Sequence, residues 1–312
     1  MVSETEAACP WTFEDLCLWA YCVVDELWPR IAPRCRRPGP APACTDAELV
    51  TMALVGECKG WDEETVLVSE WAKRRDLFPR QPSRSRFNRR RRQLTGAINA
   101  LRRLVLAALD LAADRRCVLD SLPIPVIRFH LVPAGNRAEW QAHEARFGKV
   151  PSQKVTIFGY KLYLLTTLNG VILDFVLAPA NVPELQAGTE LLAEHTDLEV
   201  LGDKAFISAA VAATLREENR VRLLTLPRRN EQRQVPAAVR RALNAARQVA
   251  ETVNGQLAEQ FRIETNHAQS FWGLCARLAT KLTAHTLCLH LNRLLGHADA
   301  LRIKALALPR PN

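Results

Sequence analysis

The chain has 312 residues, 48% of them hydrophobic, and a formal net charge of +9. That apolar content buries a substantial core in two domains, or in one large domain with an appendage, and excludes a disordered chain. No run free of charge and proline approaches the ~20 residues of a membrane span, and Glu4 and Glu6 stand where a signal peptide is basic, so a soluble intracellular protein without a membrane partner is expected.

The nine cysteines form no Cys-x2-Cys pair and are odd in number, which argues against a disulfide framework and a zinc finger. Cys275, His285, Cys288 and His290 fall in one apolar helical pattern, which lacks the two arms that wrap a tetrahedral ion.

Residues 11 to about 115 read as all helical. Thr45-Asp-Ala-Glu48 has the form of a capping box opening a helix to about Cys58. Gly60 ends that helix, Asp62-Glu63-Glu64 suit the start of the next, and Pro79 and Pro82 precede Ser83, which can cap a third. Pro38-Gly-Pro-Ala-Pro42 reads as a stiff connector. Between Lys73 and Arg103 stand twelve basic residues against one acid, Asp76, so this window carries more than the whole net charge. Helix, turn, helix, link and basic helix is a helix-turn-helix-like pattern, whose last helix would present Arg84, Arg86, Arg89, Arg90 and Arg92 to DNA. On that helix Arg91 is expected to point away from the binding face. Trp61 and Trp71 read as core residues.

After Arg115 the period changes. Val118-Leu119 is a short apolar run closed by Asp120, and Pro123 and Pro125 are expected to stop it from continuing as a central strand. A connection from about Arg128 to Lys154 shows no clean periodicity. It contains His130 and His143, expected at the surface, and Trp140, which has the chemistry to stack on an unpaired base. Tyr160–Leu168 and Val171–Ala178 are β-rich runs around Asn169-Gly170, the favoured dipeptide of a type I′ hairpin. A helix follows over Pro183–His195, a strand over Glu199–Gly202 ending at Asp203, a helix over Ser208–Glu218 and a strand over Val221–Leu226. A long helix from Pro236 to Gln260 carries an apolar stripe with Glu251 at its margin.

Three antiparallel strands followed by alternating helices and strands is the order of a ribonuclease-H-like α/β fold, a mixed sheet flanked by helices. The ends of its first and fourth strands lie side by side, and sites form at such an edge. Asp120, Asp203 and Glu251 would then converge, and three carboxylates bind hard divalent cations.

Asp120-Ser-Leu-Pro-Ile, Gly159-Tyr-Lys-Leu, Ala180-Asn-Val, Gly202-Asp-Lys-Ala-Phe and Arg247-x3-Glu251 together resemble the DDE transposases of bacterial insertion sequences. Pro38-Gly-Pro-Ala-Pro with Thr45-Asp-Ala-Glu-Leu, and Pro82-Ser-Arg-Ser-Arg-Phe-Asn-Arg-Arg-Arg-Arg, make the chain similar to the insertion sequence 982 family. The resemblance covers roughly residues 15 to 295. It implies a metal triad of Asp120, Asp203 and Glu251 holding two Mg²⁺ or Mn²⁺ ions, with Arg247 an accessory group near the scissile phosphate. It also implies cleavage and joining of double-stranded DNA at terminal inverted repeats and target, a homodimer in the DNA complex, and a bacterial, nucleoid-associated protein.

Lys161 and Lys204, with Asn181, stand beside the motif segments as further phosphate contacts. Many related transposases carry Tyr and Lys where this chain has Asn244 and Ala258. The expected organisation is a helical DNA-binding domain over residues 1–115, a catalytic domain over 116–296 and a C-terminal tail over 297–312. The competing readings are a regulator with an inert catalytic domain and a metal-dependent nuclease without strand transfer.

Overall fold

The computed structural model describes residues 12–35, 38–127, 137–151, 153–203, 206, 208–225 and 237–306. The chain divides into a helical unit, residues 1–104 with 279–312, and a sheet-containing unit, residues 105–278.

In the helical unit α1 spans Phe13–Leu27 and α2 Asp46–Cys58. Each starts at a threonine capping box, Thr12 with Asp15 and Thr45 with Glu48, where side chains satisfy amides that the first helical turn leaves open. Residues α2 turns to every side, from Ala47 to Cys58 save the half-buried Glu48, are buried, so it is the core of this unit. α3 spans Glu64–Ala72, α4 Arg84–Gln93 and α5 Thr95–Ala107. Trp61 and Trp71 are core residues as expected: their rings meet edge to face at 5.5 Å, and Trp71 Nε1 donates to the Met52 carbonyl at 3.1 Å.

The compact units divide at 104 and 278. The physical reason lies in residues 279–294, the later part of the last long helix, which pack among the N-terminal helices. Lys281, fully buried, donates to Glu57 Oε2 at 2.6 Å, Thr283 Oγ1 donates to the Ile98 carbonyl at 3.2 Å, and Cys288 Sγ lies 3.6 Å from Cys58 Sγ.

The basic helix α4 differs from its sequence reading. Arg84, Arg86, Arg89 and Arg92 are exposed, but Arg90 and Arg91 are buried. Arg90 Nε donates to Asp46 Oδ1 at 2.7 Å and its Nη2 to the Cys35 carbonyl at 2.9 Å. Arg91 Nη2 donates to Glu64 Oε1 at 2.8 Å, and its Nη1 lies 3.9 Å from Glu57. Two of the four consecutive arginines are therefore structural cations, and Arg91 points inward rather than away.

The second unit is built on a mixed six-stranded sheet. β1 spans Arg116–Ile127, α6 Arg137–Ala142, β2 Arg146–Val150, β3 Val155–Thr167, β4 Ile172–Pro179, α7 Glu184–Ala193, β5 Glu199–Gly202, α8 Ala209–Asn219, β6 Arg222–Thr225, α9 Ala237–Glu259 and α10 Phe271–Leu294. The sheet runs β2-β3-β1-β5-β6, with β4 pairing on β3. β1, β3 and β4 are antiparallel, whereas β5 and β6 add in parallel. This α/β arrangement is compatible with a ribonuclease-H-like fold. α6 and β2 lie within the connection that showed no periodicity.

Strand β1 continues through Pro123 and Pro125, against expectation. It pairs with β5 only from Arg116 to Leu119 and with β3 along almost its whole length. Beyond Leu119 no strand among the described residues pairs on the β5 side, and two prolines two residues apart aim their nitrogens the same way, so both fit there. The β3–β4 hairpin also differs. Gly170 alone has positive φ, at 79°, and its amide donates to the Thr167 carbonyl at 2.9 Å while Thr167 N donates to Val171 O. That is a three-residue loop with glycine in the left-handed position, not type I′, which needs positive φ at Asn169 as well.

Candidate active site

The parallel register of β1 and β5 positions two carboxylates. Val118 pairs with Leu201 and Leu119 with Gly202, so Asp120 and Asp203 stand one step past the last paired level on strands about 4.8 Å apart. Alternation fixes the face. Cys117 and Leu119 pack with Ala187, Leu191 and Phe206 on one side, and Val118 and Leu201 pack with Ala246 and Ala250 of α9 on the other. Asp120 follows Val118 by two residues and Asp203 follows Leu201 by two, so both continue the α9 side. Phe206 fixes the turn after Asp203: its amide donates to the Asp203 carbonyl at 2.9 Å and its ring is buried against Gly188, where an added Cβ would sit 2.4 Å from it.

Asp120 is partly buried and its oxygens are held. Ser121 N donates to Oδ1 at 2.8 Å, and Asn254 Nδ2 donates to Oδ2 at 2.7 Å from α9. Burial pushes its carboxyl above the ordinary value of 3.8; the Ser121 amide opposes this, the nearby charges of Asp203 and Glu184 add to it and Arg247 works against it. Asp203 is exposed. Glu251, on the same flank of α9 as Asn254, is 64% exposed and lies 4.0 Å from Arg247 Nη2, itself 41% exposed. The structure thus brings Asp120 and Asp203 together with Arg247 nearby, and leaves Glu251 in an exposed helix-surface pair rather than in a closed triad. Among the described residues no three His, Cys, Asp or Glu side chains group closely enough to hold a metal ion.

Other expected contacts are placed as follows. Lys161 is buried and donates to Glu184 Oε1 at 2.9 Å, which commits its charge inside the protein. Asn181 is exposed. Lys204 and His130 lie outside the described residues. Trp140 is buried and so is not a surface for base stacking, and His143 stacks on Phe271 at 4.5 Å. Asn254 and Glu184 were not singled out in the sequence; an amide or acid on a helix carries no signature until its neighbour across the sheet is known.

The donor set fits a hard divalent cation: hard oxygens on adjoining strand ends, with a carboxyl made reluctant to ionise by burial and by a like charge. A carboxylate offers about four acceptor positions, and Asp120 uses two.

The strain of that carboxylate is measurable. Because the folded value is raised, its contribution to stability is complete below 3.8 and is lost as pH rises through the folded value, so ionised Asp120 destabilises the fold at neutral pH. Asp120→Asn is expected to raise the thermal midpoint at pH 7 in a chelator, since the amide still accepts from Ser121 N and the Asn254 amide can turn to pair with it. A lowered midpoint would contradict this.

Residues 117–271 match the family model described as a transposase DDE domain. No curated protein and no solved structure matches the chain. The matched segment runs from the second residue of β1 to the first of α10, enclosing Asp120, Asp203, Arg247, Glu251 and Asn254, and it supports a DDE transposase.

Proposed function

We propose that the chain is the transposase of an insertion sequence similar to the 982 family, binding the element's terminal inverted repeats and catalysing metal-dependent strand cleavage and strand transfer. The observation that carries the reading is the juxtaposition of Asp120 and Asp203 at the ends of β1 and β5, within a segment matching a transposase DDE domain. Asp120 and Asp203 would hold Mg²⁺ or Mn²⁺, two ions in the full site, with Glu251 as the third ligand. When bound, the metal stabilises charge on the attacking and leaving oxygens of an in-line displacement at phosphorus.

The protein's own groups do the rest. Asn254 and the Ser121 amide orient Asp120, and Asn254 does so from the helix that carries Arg247 and Glu251. Arg247 offers a cation to the scissile phosphate; a planar guanidinium suits bidentate contact there. The Lys161–Glu184 pair offsets a negative charge that Asp120 feels, which limits repulsion of the DNA backbone. DNA binding is assigned to the helix-turn-helix-like arrangement of α2, α3 and α4 through exposed arginines of α4, and two chains act on paired ends. Arg90 and Lys161 leave the set of phosphate contacts because both are internally paired.

The test is incubation of the purified protein with Mg²⁺ and a plasmid carrying both element ends. Cleaved and joined products are expected, and cut plasmid without joining would reduce the reading to a nuclease. In the same assay Asn254→Ala is expected to slow cleavage by about 10- to 100-fold, the range for loss of a group that orients a metal ligand. Unchanged cleavage would remove Asn254 from that role.

A further inference from the structure

A cavity of about 710 Å³ opens in the helical unit between the Pro38–Pro42 segment and α4. Pro38, Pro40 and Pro42 line it, and Arg80, from the link before α4, joins Arg86 and Arg89 of α4 in the same lining. These three arginines are exposed, and among the described residues no side chain pairs with them. No acidic residue lines the cavity. Arg90 also reaches it, but Asp46 neutralises that guanidinium.

Three cations facing one cavity repel one another; solvent and salt screen that repulsion in part, and an anionic occupant relieves it further. The proline side adds shape rather than charge. Proline has no N–H to donate and holds the chain stiff, so this side stays in place without supplying a counter-charge. Guanidinium forks favour phosphate, and several spaced along a cleft favour a chain of phosphates over a single ion.

We infer that this cleft grips the backbone of one DNA strand, with Arg80, Arg86 and Arg89 on its phosphates and the proline segment as the opposing rail. The inference rests on the proposed reading of the chain as a DNA-binding transposase, and it sorts the exposed arginines. Arg84 and Arg92 stand outside the cleft and contribute no phosphate contact there.

The experiment measures binding of the full chain to a duplex carrying one element end, by fluorescence anisotropy across a salt series. Each of Arg80→Ala, Arg86→Ala and Arg89→Ala is expected to shallow the slope of log K against log salt by about 0.9, while Arg84→Ala and Arg92→Ala keep the wild-type slope. Ala43→Trp, which fills the cavity without changing charge, is expected to weaken binding and shallow the slope as well. Thermal midpoints confirm that each variant folds. If the slope change falls on Arg84 and Arg92 instead, or on no variant while the duplex still binds with steep salt dependence, the cleft is not the contact though the DNA reading stands. Absence of salt-dependent duplex binding by the wild-type chain overturns both. Competition by inorganic phosphate at millimolar concentration, with no preference for duplex, would mark a small-anion site and overturn the cleft as a backbone grip.

Discussion

Asp120→Ala and Asp203→Ala are each expected to lower Mg²⁺-dependent strand cleavage by more than about a hundredfold, beyond the effect of losing an orienting partner such as Asn254. The reason is their position. The last paired levels of β1 and β5 are Leu119 and Gly202, so each aspartate is carried by a strand end that the core on both faces holds fixed. Loss of either removes a donor that nothing nearby replaces, because Glu184 is taken by Lys161. DNA affinity is expected to persist, since binding is assigned to the helical unit. Glu251→Ala sharpens the test. An exposed pair with Arg247 contributes about 0.3–0.5 kcal/mol to stability and nothing to chemistry, so a structural role predicts wild-type cleavage, whereas the third metal ligand predicts a loss as large as that of the aspartates. Near wild-type rates in either aspartate variant would remove that residue from the site.

The second large effect is on stability. Lys281→Met is expected to destabilise the helical unit by about 3–5 kcal/mol, a drop in thermal midpoint on the order of 10 °C. Lys281 is fully buried against Glu57, which is 3% exposed, while Arg91 lies between Glu57 and Glu64. Lys281 and Arg91 both meet Glu57, so removing Lys281 takes from a buried carboxylate the cation that stands 2.6 Å from it. The double variant Glu57→Gln/Lys281→Met removes one charge of each sign and is expected to recover much of the loss, leaving Arg91 with Glu64. Calorimetry of the wild type, the two single variants and the double variant decides it; a double variant as unstable as the sum of the singles would mean that the cost is one of packing rather than charge.

The placement of Asp120 and Asp203 at adjoining strand ends was legible because each closes a short apolar run and their strands pair in parallel. The periodicity of α9 and the position of the β3–β4 hairpin were legible for the same local reason. The burial of Arg90 and Arg91 was not. Their counter-charges Asp46, Glu57 and Glu64 lie on other helices, and a run of arginines looks solvent-facing until those helices are packed. β2 was hidden because its five residues bury only Gly148 and Val150, too few for alternation to stand out. Lys281 sits in an apolar helix where sequence alone shows a charge but not the acid more than two hundred residues away that makes it tolerable.

The divergence of β1 from β5 after Leu119 also bears on how the protein avoids self-association. A sheet edge with free amides invites another chain to add a strand, and such additions lead to aggregates. Here Pro123 and Pro125 remove two donors from the stretch of β1 that β5 leaves, and the Asn266 side chain occupies the Pro125 carbonyl at 3.1 Å. The edge beside Asp120 is therefore unable to template a β-ladder, and it achieves this with uncharged residues that do not compete for an anionic substrate or for a cation bound by the neighbouring carboxylates.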